Sequence, residues 1–318
     1  MIAEPDGFDE TDGITGSGSL DGSAVPGSSG RGNPAPDRGP TVLRIALGGQ
    51  LRKLREHKNI TREQAGERIR GSHAKISRLE LGRTGFKERD IRDLLTLYGV
   101  TDRARRDEFL ELAKQANEPG WWHHYNDLLP SWFGTYLGLE QAASKIRTYE
   151  AHLIPGLLQT SEYTRAVVSL GYEDANTDRR VDMRMRRQDI LTRTDPPVVW
   201  AVVDEAALHR PVGGPAVHRA QMEHLIKLAE LPNVTLQVLP YTAGEHAAAG
   251  SSFSILRFAE QELPDVVYLE HLTSALYLDR RQDLALYLSV MDRLSVQAAT
   301  PEDSLKIFAE YAERADPR

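Results

Sequence analysis

The chain has 318 residues, of which 40% are hydrophobic, 27% are charged and none is cysteine, and its formal net charge is −7. This composition is typical of soluble folded domains, and the lack of cysteine excludes disulfides and thiolate metal sites. Because there is no apolar run of about 18 residues and no secretory signal in MIAEPDGFDE, we expect a cytoplasmic protein of two domains without a membrane segment.

The first 40 residues are rich in small and turn-forming residues. They contain nine Gly, five Pro and five Ser, with few large apolar side chains. A segment of this kind cannot bury enough apolar surface to offset the entropy that is lost when the chain is ordered. We therefore predict a disordered tail over 1–40, followed by folded domains at 41–117 and 118–318.

The first folded domain is predicted to contain five helices. Leucine recurs at helical spacing through 42–57, although Gly48 and Gly49 lower the helix propensity there. A central pair of short helices comes next. Two further amphipathic helices follow, one that ends at Gly99 and one that begins near Asp102. We therefore expect this domain to be all-α.

The central pair is encoded by residues 61–83, TREQAGERIRGSHAKISRLELGR. Thr61 and Gln64 have the spacing of a capping box, which predicts the start of a helix. After a turn, Ser72 caps a second helix whose Ile76 faces the core. The outward face of this second helix carries short, polar or basic side chains, namely His73, Ala74, Lys75, Ser77 and Arg78. This arrangement is typical of a helix that reads the major groove of DNA.

Basic residues are concentrated around this motif. Residues 41–100 contain 14 Lys or Arg and 7 Asp or Glu, a balance of +7, whereas the rest of the chain has a balance of −14. Such a segment is the expected signature of binding to the phosphates of double-stranded DNA, although a solvated helical face is the alternative. We expect the outward face to contact bases, and Thr61, Arg62 and Arg83 to contact phosphates.

The second domain, 118–318, alternates between strand and helix patterns. Strands are predicted near 145–153, 198–203, 234–239, 253–258 and 266–269. Helices are predicted near 161–170, 178–193, 215–231 and 281–297, with a last helix that begins near Pro301. The predicted fold class is therefore a multi-domain protein, in which an all-α five-helix domain of the helix-turn-helix type precedes a mixed α/β (α+β) domain.

An enzyme in the second domain is the weakest of the alternatives. The folded part has no G-x-S-x-G, no P-loop and no G-x-G-x-x-G that follows a strand. The adjacent His123 and His124 point in different directions on a regular element, and His218 and His224 lack the spacing of a helical zinc pair. We predict no catalytic residue, no metal site and no cofactor.

Two features of the second domain suit either a partner surface or ordinary packing. Trp121 and Trp122 begin an aromatic cluster that can anchor an interface or pack the two domains together. The helix predicted over 178–193 is rich in arginine, which can bind an acidic partner or form a solvated face. We therefore consider Arg184, Arg187, Trp121 and Trp122 as candidate partner-binding residues.

The segment 61–83 resembles the Xre-type helix-turn-helix of phage repressors and bacterial regulators. The residues that match the usual pattern are Thr61, Glu63, Ser72, Ile76, Ser77, Arg78, Glu80, Gly82 and Arg83. Three positions differ: Arg62 replaces the usual Gln, Ala65-Gly66 replaces Leu-Ala, and Arg70 lies where the turn commonly has Gly. The resemblance implies an internal ion pair between Arg55 and Glu80 that would fix the angle of the second helix.

Five phrases cover much of the remaining chain: GWWHHYNDLLPSWFGTYLGLE, YEAHLIPGLLQT, WAVVDEAALHRPVGG, LPNVTLQVLPYTAGEH and VVYLEHLTSALYLD. They are similar to a WhiJ-like actinobacterial group of Xre regulators, whose C-terminal half is a domain of unknown function. That resemblance implies a small BldB-like partner protein, in an arrangement compared to toxin–antitoxin pairs.

Together, these observations predict a sequence-specific DNA-binding transcriptional regulator that acts with a small partner protein. The alternative is an antitoxin-like interaction protein that restrains its partner and autoregulates its own promoter. A homodimer is compatible with both hypotheses.

Overall fold

In the computed structural model, residues 39–130, 132–171, 175–248, 251–259 and 263–314 are described. They belong to one compact unit. The tail predicted over 1–40 lies outside the described residues, except for its last two positions. The predicted fold class is confirmed, because a helical N-terminal region is followed by a mixed α/β region whose described strands form one six-stranded sheet.

Five α-helices form the N-terminal region, as the apolar periodicity predicts. They are α1 (Pro40–His57), α2 (Arg62–Arg68), α3 (His73–Glu80), α4 (Glu88–Leu97) and α5 (Arg103–Ala116). Pro40 begins α1, where the missing amide of proline costs nothing. Asp102 caps α5 by accepting a hydrogen bond from the amide of Arg105. Buried side chains from all five helices share one core, which includes Leu47 and Ile76.

Helix α1 contains two glycines, and one of them, Gly48, is needed for close packing against α3. A Cβ atom at Gly48 would lie 2.4 Å from the carbonyl oxygen of Leu79, near the end of α3. Glycine allows the two backbones to approach this closely, since it has no Cβ. The loss of helix propensity at a glycine, about 1 kcal/mol relative to alanine, is thus offset by the contact between α1 and α3.

A 3-10 helix, Trp121–Tyr125, and helix α6 (Phe133–Ala142) connect this region to the sheet. The sequence pattern does not predict α6, because residues 136–140 are buried on every side and show no amphipathic period. Helix α6 packs against α1 so tightly that a Cβ atom at Gly138 would lie 1.9 Å from the hydroxyl oxygen of Thr41. The domain boundary after residue 117 stays a prediction, since α1 contacts both α5 and α6.

The strands are β1 (Lys145–Glu150), β2 (Val198–Asp204), β3 (Val234–Leu239), β4 (Phe253–Arg257), β5 (Val266–Glu270) and β6 (Ala275–Leu278). Their order in the sheet is β3-β2-β1-β4-β5-β6. The first three in this order are parallel, whereas β4 is antiparallel to β1, β5 to β4 and β6 to β5. The sequence pattern misses β6, because its four partly exposed residues show no clear alternation of burial.

Further helices cover both faces of the sheet. They are α7 (Ser161–Gly171), α8 (Thr177–Arg187), α9 (Glu205–Leu208), α10 (Pro215–Leu228), α11 (Arg281–Gln297) and α12 (Pro301–Arg314). Helices α7, α10 and α12 contribute to the core on one face, and α11 covers the other face. The helix predicted over 178–193 is interrupted, because α8 ends at Arg187 and a 3-10 helix, Gln188–Leu191, follows it.

Candidate nucleic-acid interface

Both short helices of the 61–83 motif are capped by side chains. The predicted capping box is confirmed: the hydroxyl oxygen of Thr61 accepts a hydrogen bond from the amide of Gln64 at 3.2 Å, and the side-chain oxygen of Gln64 accepts one from the amide of Thr61 at 2.9 Å. The hydroxyl of Ser72 accepts a hydrogen bond from the amide of Lys75 at 3.3 Å. These caps fix where α2 and α3 begin.

The turn between α2 and α3 keeps the backbone geometry that glycine usually provides. Arg70 has φ of +54°, which lies in the left-handed region. The amide of Gly71 then donates a 2.8 Å hydrogen bond to the carbonyl oxygen of Gly66 and closes the turn. A non-glycine residue in this conformation costs about 1–2 kcal/mol. Arg70 therefore adopts a strained conformation that a glycine would adopt without strain.

Helix α3 presents the face that the sequence predicts. Ile76 and Leu79 are buried in the helical core. His73, Ala74 and Arg78 are exposed on the opposite side, while Ser77 and Lys75 are half-buried at its margins. The exposed side chains begin at the capped N-terminus, the end that enters the major groove in helix-turn-helix proteins. The contacts of all five residues with bases stay a prediction.

Lys75 is held by an ion pair that the sequence does not reveal. Its ammonium lies 2.5 Å from a carboxylate oxygen of Asp90, a residue that is 1% exposed at the start of α4. The second carboxylate oxygen of Asp90 has no hydrogen-bond partner within the described residues. Lys75 therefore neutralises a buried charge, and it would have to leave Asp90 in order to contact a base. An Asp in the first turn of a helix looks like a response to the helix dipole, so only the fold identifies this pair.

A second ionic network connects α1, α2 and the end of α3. The guanidinium of Arg55 donates to both carboxylate oxygens of Glu80, at 2.5 and 3.1 Å, and to the carbonyl oxygen of Ile60 at 2.8 Å. The side chains of Arg55 and Glu80 are only 8% and 2% exposed. The hydrogen bond with Glu80 raises the pKa of Arg55 further above its usual range. The structure thus contains the pair that the resemblance implies.

The residues expected to contact phosphates lie in different surroundings. Arg62 donates its Nε to Glu80 at 3.1 Å, so it joins the internal network, and its side chain is 36% exposed. Thr61 is exposed, with its hydroxyl engaged in the cap. Arg83 is also exposed, and with Arg52 and Lys53 it lines a cleft of about 670 Å³ between α1 and β6. The phosphate contacts stay predictions.

Of the four candidate partner-binding residues, two lie inside the protein. Trp122 is 4% exposed and packs with α6 and α8. The side chain of Arg187 is 11% exposed, and its guanidinium donates two hydrogen bonds to Glu140. Burial opposes the charge of Arg187, but the carboxylate of Glu140 raises its pKa. Trp121 is half-buried, and Arg184 lines a cavity. A partner that docks on the outer surface would therefore reach Trp121 before Trp122.

Family models match both regions. A model described as a helix-turn-helix domain matches residues 46–109, from α1 to α5. Together with the exposed face of α3, this match defines a helix-turn-helix protein and supports a DNA-binding regulator. A second model, described as a domain of unknown function (DUF5753), matches residues 133–310. Because that match covers more than half of the chain, the protein belongs to the DUF5753 family.

No curated protein and no solved structure matches the chain significantly. Within the residues that the structure describes, no helix is long and apolar enough to cross a membrane.

Proposed function

We propose that the protein is a sequence-specific transcriptional regulator of the Xre type, belonging to the WhiJ-like group, in which α3 enters the major groove of double-stranded DNA. The observation that carries this proposal is the two-sided surface of α3. His73, Ala74 and Arg78 are exposed on one side, and Ile76 and Leu79 are buried in the core on the other. A helix that is fixed on one side and exposed at its N-terminal end suits direct contact with base edges.

Arg78 is the strongest candidate for base recognition. A guanidinium offers two donors to the O6 and N7 atoms of guanine, and a good contact of this kind discriminates by about 1–3 kcal/mol. Arg78 is exposed and lies in the last turn of α3, six residues after the cap Ser72. His73 and Ser77 supply further polar groups, and Ala74 leaves room for a thymine methyl group. Thr61, Arg62 and Arg83 would hold phosphates and fix the register without reading sequence.

The partner protein is proposed from the sequence resemblance alone. A small BldB-like protein would bind the region after the helix-turn-helix domain, where Trp121 and, within the DUF5753 match, Arg184 are the accessible candidates of the four. The antitoxin-like alternative uses the same surfaces. In that case the main role of the protein is to restrain its partner, and DNA binding serves to regulate its own promoter. We propose no enzymatic activity for this region.

Binding of the full-length protein to DNA from its own promoter region tests the proposal. The affinity should fall steeply as salt rises, because the basic 41–100 segment displaces counterions from phosphates. A protein that neutralises about six phosphates would lose roughly a thousandfold in affinity between 50 and 200 mM salt. No binding at low salt, or a binding constant that does not depend on salt, contradicts the proposal.

A further inference from the structure

One face of the sheet changes from apolar to charged along three neighbouring strands. Thr148, Ser254 and Tyr268 lie opposite one another on β1, β4 and β5. Glu150 and Glu270 come two residues after Thr148 and Tyr268, and Ser252 comes two residues before Ser254. Because β4 is antiparallel to β1 and β5, the same register places these three residues in one row. Because side chains alternate between the faces of a strand, both rows belong to the face that carries Ile146 and Leu256 in its buried core. Polar groups therefore replace apolar ones at the margin of the core, where Glu150 is half-buried and Glu270 is exposed.

A cavity of about 310 Å³ lies on this row. Phe133 and Tyr136 of α6 form one wall, and Arg184 and Arg187 of α8 line another. Its volume is at the lower end of the range for small-molecule sites, about 300–1,000 Å³. It also lies where the parallel strands give way to antiparallel ones, next to the carboxyl end of β1. Such a change of topology is a frequent place for ligand sites in α/β sheets.

The charges that line the cavity do not balance. Arg187 is paired with Glu140, and its guanidinium lies over the rings of Phe133 and Tyr136, so its main contacts are made within the protein. The remaining charged groups are Glu150 and Glu270, which are negative, and Arg184, which is positive. Aromatic rings also face the cavity, with those of Tyr136 and Tyr268 in contact at a centroid distance of 4.1 Å. With both carboxylates ionised, two negative groups face one positive group, and this balance favours a cation.

We propose that this cavity binds a small organic ammonium ion, with its cationic group between Glu150 and Glu270 and its apolar part against Phe133 and Tyr136. The proposal goes beyond DNA binding and does not depend on it. Since α6 forms a wall of the cavity and packs against α1, the ligand would lie one helix away from the helix-turn-helix region.

The protonation state of Glu150 makes binding of the ammonium ion depend on pH. Burial and the charge of Glu270 raise the pKa of Glu150 to about 7, against the opposing effects of a hydrogen bond with Ser252 and the charge of Arg187. Other titratable or charged groups that face it are Arg184, Tyr268, Tyr163 on α7, and Tyr136 and Glu140 on α6. An ammonium ion prefers the ionised carboxylate, so its binding releases a proton from Glu150 below pH 7. Affinity should therefore fall by about tenfold between pH 8 and pH 6.

The test uses the full-length protein and three probes of one chain length: n-butylammonium chloride, n-butanol and sodium butyrate. Binding is measured by isothermal titration calorimetry and by thermal unfolding, at constant ionic strength. We expect saturable binding and a higher melting temperature with butylammonium only, and weaker binding at pH 6 than at pH 8. Preference for butyrate, an equal response to all three probes, no binding, or an affinity independent of pH would each overturn the proposal.

Two variants and one control locate the site. Glu150→Gln should weaken butylammonium binding about tenfold or more and remove its pH dependence, because the titrating carboxyl is gone. Glu270→Gln should weaken binding but leave the pH dependence in place. Glu302→Gln, at an exposed position of α12, should change neither property. Unchanged binding in both cavity variants would overturn the assignment, and if a variant fails to fold, the pH dependence of the wild-type protein still decides.

Discussion

Replacement of Glu80 by alanine tests how the angle of α3 is fixed. The carboxylate of Glu80 accepts hydrogen bonds from Arg55 at 2.5 and 3.1 Å and from Arg62 at 3.1 Å. Glu80→Ala would leave the guanidinium of Arg55, which is 8% exposed, with only the half-exposed carboxylate of Glu56, at 3.4 Å, as a counter-ion. Loss of one member of a buried pair costs about 3–5 kcal/mol, because the other charge stays desolvated. We therefore expect the free energy of unfolding to fall by this amount.

The measurement is urea denaturation of the full-length protein, followed by the far-ultraviolet circular dichroism of its helices. Glu88→Ala is the matched control, since Glu88 pairs with Arg92 at 2.7 Å on the surface of α4, where both side chains are more than half exposed. That variant should lose less than about 1 kcal/mol. A double-mutant cycle with Arg55→Ala should return a coupling energy of at least about 1 kcal/mol. Equal losses in Glu80→Ala and Glu88→Ala would refute the reasoning.

Three further predictions address the neighbouring residues. Asp90→Asn should release Lys75 from its ion pair, so we expect a lower dissociation constant for all DNA sequences in fluorescence anisotropy. An unchanged dissociation constant would show that Lys75 does not reach DNA. Arg187→Glu should unfold the DUF5753 region, because it places a second negative charge beside buried Glu140. A melting temperature equal to that of the wild-type protein would contradict the burial of this pair. Arg184→Glu should keep the fold but reduce partner capture in a pull-down, and wild-type capture would place the partner surface elsewhere.

The sequence predicts local features of this fold well because their causes are local. Thr61 and Gln64 form the capping box at the predicted positions, since its donors and acceptors lie three residues apart. Helix α6 escapes prediction for the opposite reason: it is buried all round, so its sequence carries no period. The pair between Lys75 and Asp90 joins two helices across a loop, and no spacing rule identifies it.

Charge-rich segments mislead sequence reasoning in a systematic way. Six arginines in 178–193 suggest a solvated helix or a partner surface, yet Arg187 points into the core because Glu140 on α6 neutralises it. The polar row of Glu150, Ser252 and Glu270 is equally hidden, since its members come from three strands that the fold brings into register. Long-range pairing of this kind depends on the topology of the sheet, which composition and periodicity do not determine.

The base preference of the Arg78→Ala variant tests the central claim most directly. DNA selected from a random pool by the full-length wild-type protein should show a defined motif. The variant should select the same motif with the preference at one base pair lost, which corresponds to about 1–3 kcal/mol of discrimination. Arg105→Ala, at an exposed position on α5, is the control and should select the wild-type motif unchanged. An unaltered motif in Arg78→Ala would contradict the assignment of Arg78 on α3 as a residue that reads DNA.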